Sequence, residues 1–117
     1  MQYKLEERVE KFGENIIDLA KKVKINITTE PIINQLIRSG TSVGANYFEA
    51  NGASSRRDFI NKVYISKKEV KETQHWLRMI SRVEESIKVE ARILYKEAQE
   101  LGMIFSTIIT KTKNKIV

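Results

Sequence analysis

The sequence predicts an all-α fold, an antiparallel up-down-up-down four-helix bundle in which residues 1–117 form a single domain. Apolar residues recur at steps of three and four in four long segments, which is the spacing of amphipathic helices. Short polar links separate these segments. A chain of 117 residues is also long enough for one domain with one modest core.

The first two segments predict helices near 3–25 and 30–51. The second helix has small residues in its apolar stripe, whereas the first has only large ones. The two stripes consist of Leu5, Val9, Phe12, Ile16, Leu19 and Val23, and of Ile33, Leu36, Gly40, Val43, Tyr47 and Ala50.

The boundaries of the second helix follow from its terminal residues. Thr28 and Thr29 are candidate N-terminal caps, and Pro31 falls in the first turn, where its missing N–H costs little. Asn51 and Gly52 end the helix, because glycine accepts the left-handed conformation that is common at helix C-termini.

The third and fourth segments predict helices near 55–83 and 88–113. Ser55, followed by Asp58, resembles an N-cap with an acidic residue in the first turn. A polar break with the sequence RVEESIK separates the two helices. Their stripes consist of Phe59, Val63, Ser66, Val70, Thr73, Leu77 and Ile80, and of Ala91, Leu94, Ala98, Leu101, Phe105, Ile108 and Thr112.

The stretch SVGANYFEANGASSRRDF, residues 42–59, joins the second and third predicted helices. It is not a phosphate-binding loop, since it lacks G-K-[ST], G-x-G-x-x-G and a preceding strand. Gly40 and Gly44 are four residues apart and share one helix face. They indicate close approach by a neighbouring helix, although two surface glycines would give the same spacing.

Residues 37–80 resemble the signature of a family of small four-helix-bundle proteins. Some members are encoded in intervening sequences of large-subunit ribosomal RNA genes, and the accessory variability determinants of diversity-generating retroelements share the bundle. The pattern is R-S-x-x-S-[IV]-x-x-N-x-x-E, a short turn, [KR]-[DE]-F-[IL] and a later E-x-x-x-x-L. The alanine-glutamate-glycine common after the asparagine is replaced by Phe48-Glu49-Ala50. The matching residues are Arg38, Ser39, Ser42, Val43, Asn46, Glu49, Arg57, Asp58, Phe59, Ile60, Glu72 and Leu77.

The resemblance implies a ring-shaped homopentamer. It also implies two kinds of partner: RNA or DNA together with a reverse transcriptase, as in the retroelement members, or a ribosomal component. For many members of this family no activity is known. Apolar residues outside the predicted stripes are further candidates for a subunit interface: Ile60, Tyr64, Trp76 and Ile104.

The motif places polar side chains beside the apolar stripe of the second helix. This polar strip consists of Ser39, Ser42, Asn46 and Glu49. One interpretation is a binding site. The favoured interpretation is a structural hydrogen-bond network, buried or at an interface, with Arg57 across the turn, because a buried carboxylate needs a partner.

The composition excludes several classes of function. The chain has no cysteine, which rules out disulfides and thiolate zinc sites and is compatible with a reducing cytoplasm. The charged N-terminal segment is not a signal peptide, and no apolar run reaches the ~20 residues that span a bilayer. We therefore expect a cytoplasmic protein without a membrane partner.

The sequence contains no recognisable catalytic or metal-binding set. Its single histidine, His75, forms E-x-x-H with Glu72, whereas a carboxylate-bridged di-iron bundle needs two such motifs and two further glutamates. One chain cannot build that site, although a symmetric oligomer could in principle. A Ser-His-Asp triad needs a nucleophile on a strained turn, and this histidine lies on a long helix. We expect no enzymatic activity, no metal and no cofactor.

The basic residues are the most informative feature, since the net charge is +6. At ~100° per residue, five residues of the third helix lie within about 80° of one another and roughly 130° from its apolar stripe. Arg57 and Tyr64 extend this set. A solvated helix face would look the same. The basic stripe consists of Lys67, Lys71, His75, Arg78 and Arg82.

The C-terminal sequence adds Lys111, Lys113 and Lys115 with no acidic residue after Glu100. It predicts either a frayed helix end or a flexible phosphate-binding arm. Together these features favour a non-enzymatic, basic, oligomeric protein that binds nucleic-acid phosphates or acts as an adaptor. The alternative is a structural or protein-interaction scaffold whose charge serves solubility.

Overall fold

The computed structural model describes the backbone of residues 2–116 and the side chains of residues 4–115. Four antiparallel helices form an elongated bundle of 50 × 21 × 21 Å, as predicted. The helices are α1 Gln2–Lys21, α2 Thr29–Asn51, α3 Arg56–Val83 and α4 Lys88–Ile116, and a 3₁₀ turn at Glu85–Ile87 precedes α4.

The α1–α2 link differs from the prediction, because α1 ends at Lys21 rather than near residue 25. Asn26 is the capping residue: its Oδ1 accepts hydrogen bonds from the Thr28 and Thr29 amides, each at 2.9 Å. The Thr29 hydroxyl closes the turn by donating to the Lys24 carbonyl at 2.7 Å. The Thr28 side chain makes no capping bond, so only one of the two predicted threonines takes part.

The α2–α3 turn keeps the predicted boundaries but not the predicted glycine conformation. Gly52 has φ −100°, outside the left-handed region, so its backbone does not require glycine. Ser55 caps α3 as predicted, and its Oγ accepts the Asp58 amide hydrogen at 3.0 Å.

The core follows the predicted stripes closely. All six stripe residues of α2 are buried, and the largest enclosed side chains include Tyr47, Phe12 and Phe105. Ile60 is only 6% exposed, so its assignment to a subunit interface is wrong and it belongs to the core. In the last turns of α4, Ile109 is buried and Ile108 is partly buried.

Glycines bring α1 and α2 together. A Cβ at Gly40 would lie 2.8 Å from both Cγ atoms of Ile16, whose side chain is fully buried. A Cβ at Gly44 would lie 3.4 Å from the Val9 carbonyl oxygen. Both glycines therefore serve interhelical packing, and the alternative of two surface glycines is excluded.

Small hydroxyl residues join α2 to α3 inside the core. The Ser66 hydroxyl donates to the Val43 carbonyl at 3.0 Å, and the Ser39 and Thr73 hydroxyl oxygens lie 3.0 Å apart. All three hydroxyl residues are fully buried. These bonds satisfy polar groups that would otherwise destabilise the apolar interior.

The α1–α4 contact is the weakest of the four between neighbouring helices, and ion pairs cross it. Arg8 donates from Nε and Nη2 to the Glu97 carboxylate at 2.7 Å each, and from Nη2 to Glu100 at 2.8 Å. The bond to Glu97 is the main reason that the pKa of Arg8 is raised. Lys22 pairs with Glu90 near the other end of the contact.

Candidate nucleic-acid interface

The four helices differ sharply in charge. Helix α3 carries eight Lys and Arg residues against three Asp and Glu. Helices α1 and α2 together carry five Lys and Arg residues against seven Asp and Glu. The basic C-terminal end of α4 lies beside the start of α3. The excess positive charge therefore lies on the α3–α4 side of the bundle.

The basic stripe lies at the solvent surface of this side. Lys71, Arg78 and Arg82 are exposed and Lys67 is half-buried. The sequence predicted an outward face, and Lys67 and Lys71 also border a groove between α3 and α4. Arg57 is exposed at the start of α3, as predicted.

The groove has a volume of about 590 Å³ beside Lys67 and Lys71. Its α4 wall includes small residues, Ala98 and Gly102, and a Cβ at Gly102 would make ordinary contact with Val70 Cγ1 at 3.6 Å. A second hollow of about 360 Å³ continues along the same two helices. The residues that line it include Arg78, Ser81, Lys88, Arg92 and Tyr95.

A cation–π contact lies at the second hollow. The guanidinium carbon of Arg78 lies 5.3 Å from the centroid of the Tyr95 ring. Tyr95 was missed in the sequence analysis. Its position, directly after the core residue Leu94 and four residues after Ala91, is a signal that could have placed it at the border between α4 and α3.

A similar contact lies near the start of α3. Lys113 Nζ donates to the Tyr64 hydroxyl at 2.9 Å and lies 5.1 Å from the ring centroid. The hydrogen bond from Lys113 is the main reason that the pKa of Tyr64 is lowered. Tyr64 remains 42% exposed.

The C-terminal lysines lie on the last turns of α4. Helix α4 continues to Ile116, and Arg56 Nη1 donates to the Lys115 carbonyl at 3.0 Å. Lys113 and Lys115 lie beside the start of α3. Lys111 instead lines a separate cavity with Lys4 and Phe59, away from the basic stripe.

Ion pairing distinguishes the basic stripe from other cations of the bundle. Among the side chains of residues 4–115, no ion pair involves the stripe residues Lys67, Lys71, Arg78 or Arg82. Six other cations do have carboxylate partners, among them Lys88 at the second hollow: Arg8, Lys11, Lys22, Arg38, Lys62 and Lys88. Charges without a local partner are the ones that phosphates can neutralise without breaking an existing pair.

The polar strip of α2 does not form the expected buried network. Asn46 Nδ2 donates to the carbonyl of Ser42 in its own helix at 2.8 Å. Glu49 is exposed and pairs with Lys62 at 2.8 Å. The expected partner, Arg57, makes no hydrogen bond to the side chains described, so that part of the interpretation is wrong for a single chain.

Other motif residues do connect α2 to α3. Arg38 Nη1 lies 3.3 Å from the buried Glu69, and Nη2 donates to Glu72. Trp76 Nε1 also donates to Glu72, at 3.1 Å. These bonds, first from Trp76 and then from Arg38, hold the pKa of Glu72 below its usual range.

The Glu72 carboxylate is thus engaged with Arg38 and Trp76, and the His75 ring packs edge-on against Trp76 with centroids 4.6 Å apart. Across the described part of the chain, no three His, Cys, Asp or Glu side chains are grouped to hold a metal ion. Likewise, none of the helices in residues 2–116 has the length and apolar character to cross a bilayer.

The fold and surface define an antiparallel four-helix bundle with one basic side. The family model described as 23S rRNA-intervening sequence protein matches residues 2–107, and the chain belongs to that family. A solved structure from Bacteroides thetaiotaomicron, described as a protein of unknown function from the S23 ribosomal protein family, is similar to it. The two chains share 33% identity over 89% of this chain and 96% of the other, with a TM-score of 0.79.

No match was found among curated proteins. Neither the family description nor that of the solved relative names an enzymatic activity. The family description refers to 23S rRNA, which is consistent with an RNA-related role.

Proposed function

We propose that this protein is a non-enzymatic nucleic-acid-binding or adaptor protein that contacts RNA or RNA–DNA phosphates through its α3–α4 side. The observation that carries the proposal is the basic stripe itself: exposed cations on one helix, without carboxylate partners in the described chain. Arg57 and the α4 residues Lys113 and Lys115 extend this surface.

The arrangement supports binding led by charge and shape. From Tyr64 to Arg82 the stripe covers 18 residue steps, or about 27 Å at ~1.5 Å per residue. Flexible Lys and Arg side chains along this length can follow a phosphate backbone in many registers. The sequence has no base-reading motif, so we expect little sequence preference.

Oligomerisation is the second part of the proposal. The resemblance suggests a homopentamer, and large apolar side chains are exposed outside the core, including Ile17 at 40% and Phe48 at 47%. A ring would present the basic side several times, so weak sites would gain affinity through avidity. Light scattering should give a mass several times 13.6 kDa, five times for a pentamer. A monomer at micromolar concentration would contradict this part.

Salt dependence of binding tests the main proposal. Fluorescence anisotropy with labelled RNA and DNA oligonucleotides should show log affinity falling linearly with log salt. The slope should be about −0.7 to −0.9 per phosphate contact. Absence of salt-dependent binding to single strands and duplexes at low ionic strength would refute the proposal. The exposed apolar residues would then favour the scaffold hypothesis, which light scattering tests independently.

A further inference from the structure

We propose that the α3–α4 groove is a single-strand site, in which nucleobases stack at Tyr64 and at the Arg78–Tyr95 pair. This inference rests on the proposed function and adds the class of nucleic acid. Arg78 and Tyr95 line the second hollow, and Tyr64, which precedes Lys67 by about one helical turn on α3, lies beside Lys113 of α4. Tyr64 and Arg78 are 14 residue steps apart on α3, about 21 Å along the helix axis.

Each position combines an aromatic ring with a cation. Lys113 Nζ lies 5.1 Å from the Tyr64 ring centroid, and the Arg78 guanidinium carbon lies 5.3 Å from that of Tyr95. The 42% exposure of Tyr64 leaves ring surface for a base. Rings and guanidinium planes along a basic groove are the features with which proteins hold unpaired bases while binding their phosphates.

The groove between the two positions is polar as well as basic. Lys67 and Lys71 lie on its α3 side, together with Gln74, and Gln99 and Ser106 lie on its α4 side. The amides and the hydroxyl can donate to and accept from base edges. Duplex bases are already stacked and paired, so a duplex can use the lysines but cannot stack its bases at the aromatic positions.

The groove geometry also favours a single strand. Axes of packed helices lie about 8–10 Å apart, so the depression between α3 and α4 is narrow. A flexible strand can place alternate bases in such a depression and its phosphates on the bordering lysines. A rigid duplex would contact only the rim.

Substrates of matched length test the inference. Wild-type protein should bind a 15-nucleotide single-stranded RNA more tightly than a duplex with the same number of phosphates. An abasic strand of equal charge should lose this preference. Equal binding of the abasic and base-containing strands would overturn the inference while leaving charge-led binding in place. If none of the three substrates bound, both the single-strand inference and the proposed charge-led binding would be contradicted.

Tyrosine variants locate the effect. Tyr64→Leu should weaken single-strand binding by about fivefold or more and leave abasic-strand binding unchanged. Tyr64→Phe keeps the ring and should retain most of the affinity. Phe48→Leu on α2, also an exposed aromatic residue, is the matched control, provided that light scattering shows the same oligomer mass as wild type.

Tyr95→Leu should weaken single-strand binding in the same way. Because Tyr95 is partly buried, circular dichroism and abasic-strand binding are needed to show that this variant still folds. If both tyrosine variants bind single strands as wild type does, the stacking positions are wrong.

Discussion

The α1–α2 side and the α3–α4 side of this bundle are built from helices of similar length but have opposite properties. On the first, Gly40 and Gly44 bring two backbones into close contact, and carboxylates outnumber cations. On the second, small residues of α4 leave a groove, and the basic-stripe cations Lys67 and Lys71 that border it lack carboxylate partners in the described chain.

The difference shows how one bundle can separate stability from binding. Close interhelical packing fixes side chains and leaves little surface that can adapt to a ligand. Unpaired cations along a groove add little to stability, and like-charge repulsion opposes their clustering, so their presence on one side needs another explanation. We infer that the α1–α2 side mainly stabilises the fold and that the α3–α4 side binds the phosphates.

Alanine at two glycines should give opposite results on the two sides. Gly40→Ala places a methyl group 2.8 Å from the buried Ile16, so overpacking of about 1–3 kcal/mol should exceed the helix-propensity gain of about 1 kcal/mol. Gly102→Ala meets only an ordinary 3.6 Å contact and should stabilise the protein. Urea unfolding measures both changes, and stabilisation by Gly40→Ala would contradict the close-packing account.

Removing a paired cation should cost more stability than removing an unpaired one. Arg38→Met leaves Glu69, which is 7% exposed, without its cation and should lower the unfolding free energy by about 1 kcal/mol. Arg78→Met removes a cation of the basic stripe and should have a smaller effect. Equal losses of melting temperature would show that pairing does not distinguish the two surfaces.

Acid should remove the stabilising contribution of Glu72, the paired carboxylate on α3. The pKa of Glu72 is lower in the folded protein, because it accepts hydrogen bonds from Trp76 and Arg38. Its stabilising contribution is therefore complete above the unfolded pKa of about 4.3 and is lost as pH falls through the lower folded pKa. Between pH 5 and 3, the melting temperature of wild type should fall more than that of Glu72→Gln. Parallel curves would contradict this assignment.

The smallest effect is expected in the polar strip. Glu49 is exposed and its ion pair with Lys62 lies at the surface, so Glu49→Ala should leave the melting temperature of the isolated chain nearly unchanged. Asn46→Ala should behave alike, since Asn46 bonds only to its own helix. Dissociation of an oligomer by either variant, seen by light scattering, would assign the strip to a subunit interface.

The sequence was sufficient to predict the four helices and nearly all of the core, because the apolar spacing is regular and each link contains turn-forming residues. It could not place Asn26 as the cap of α2, since that bond depends on how the loop folds back. Angular position on α3 identified the basic stripe. The groove was not predictable, because it depends on which face α4 turns toward α3, and so Tyr95 was missed.

Charge-matched variants of the two sides give the most direct test of the central claim. Lys71→Gln with Arg78→Gln on α3, and Lys11→Gln with Lys21→Gln on α1, change the net charge equally, and all four residues are exposed. The α3 variant should bind all RNA sequences more weakly and flatten the slope of log affinity against log salt by roughly one to two units. The α1 variant should match wild type. Equal weakening by both variants would mean that net charge, and not the α3–α4 side, binds the nucleic acid.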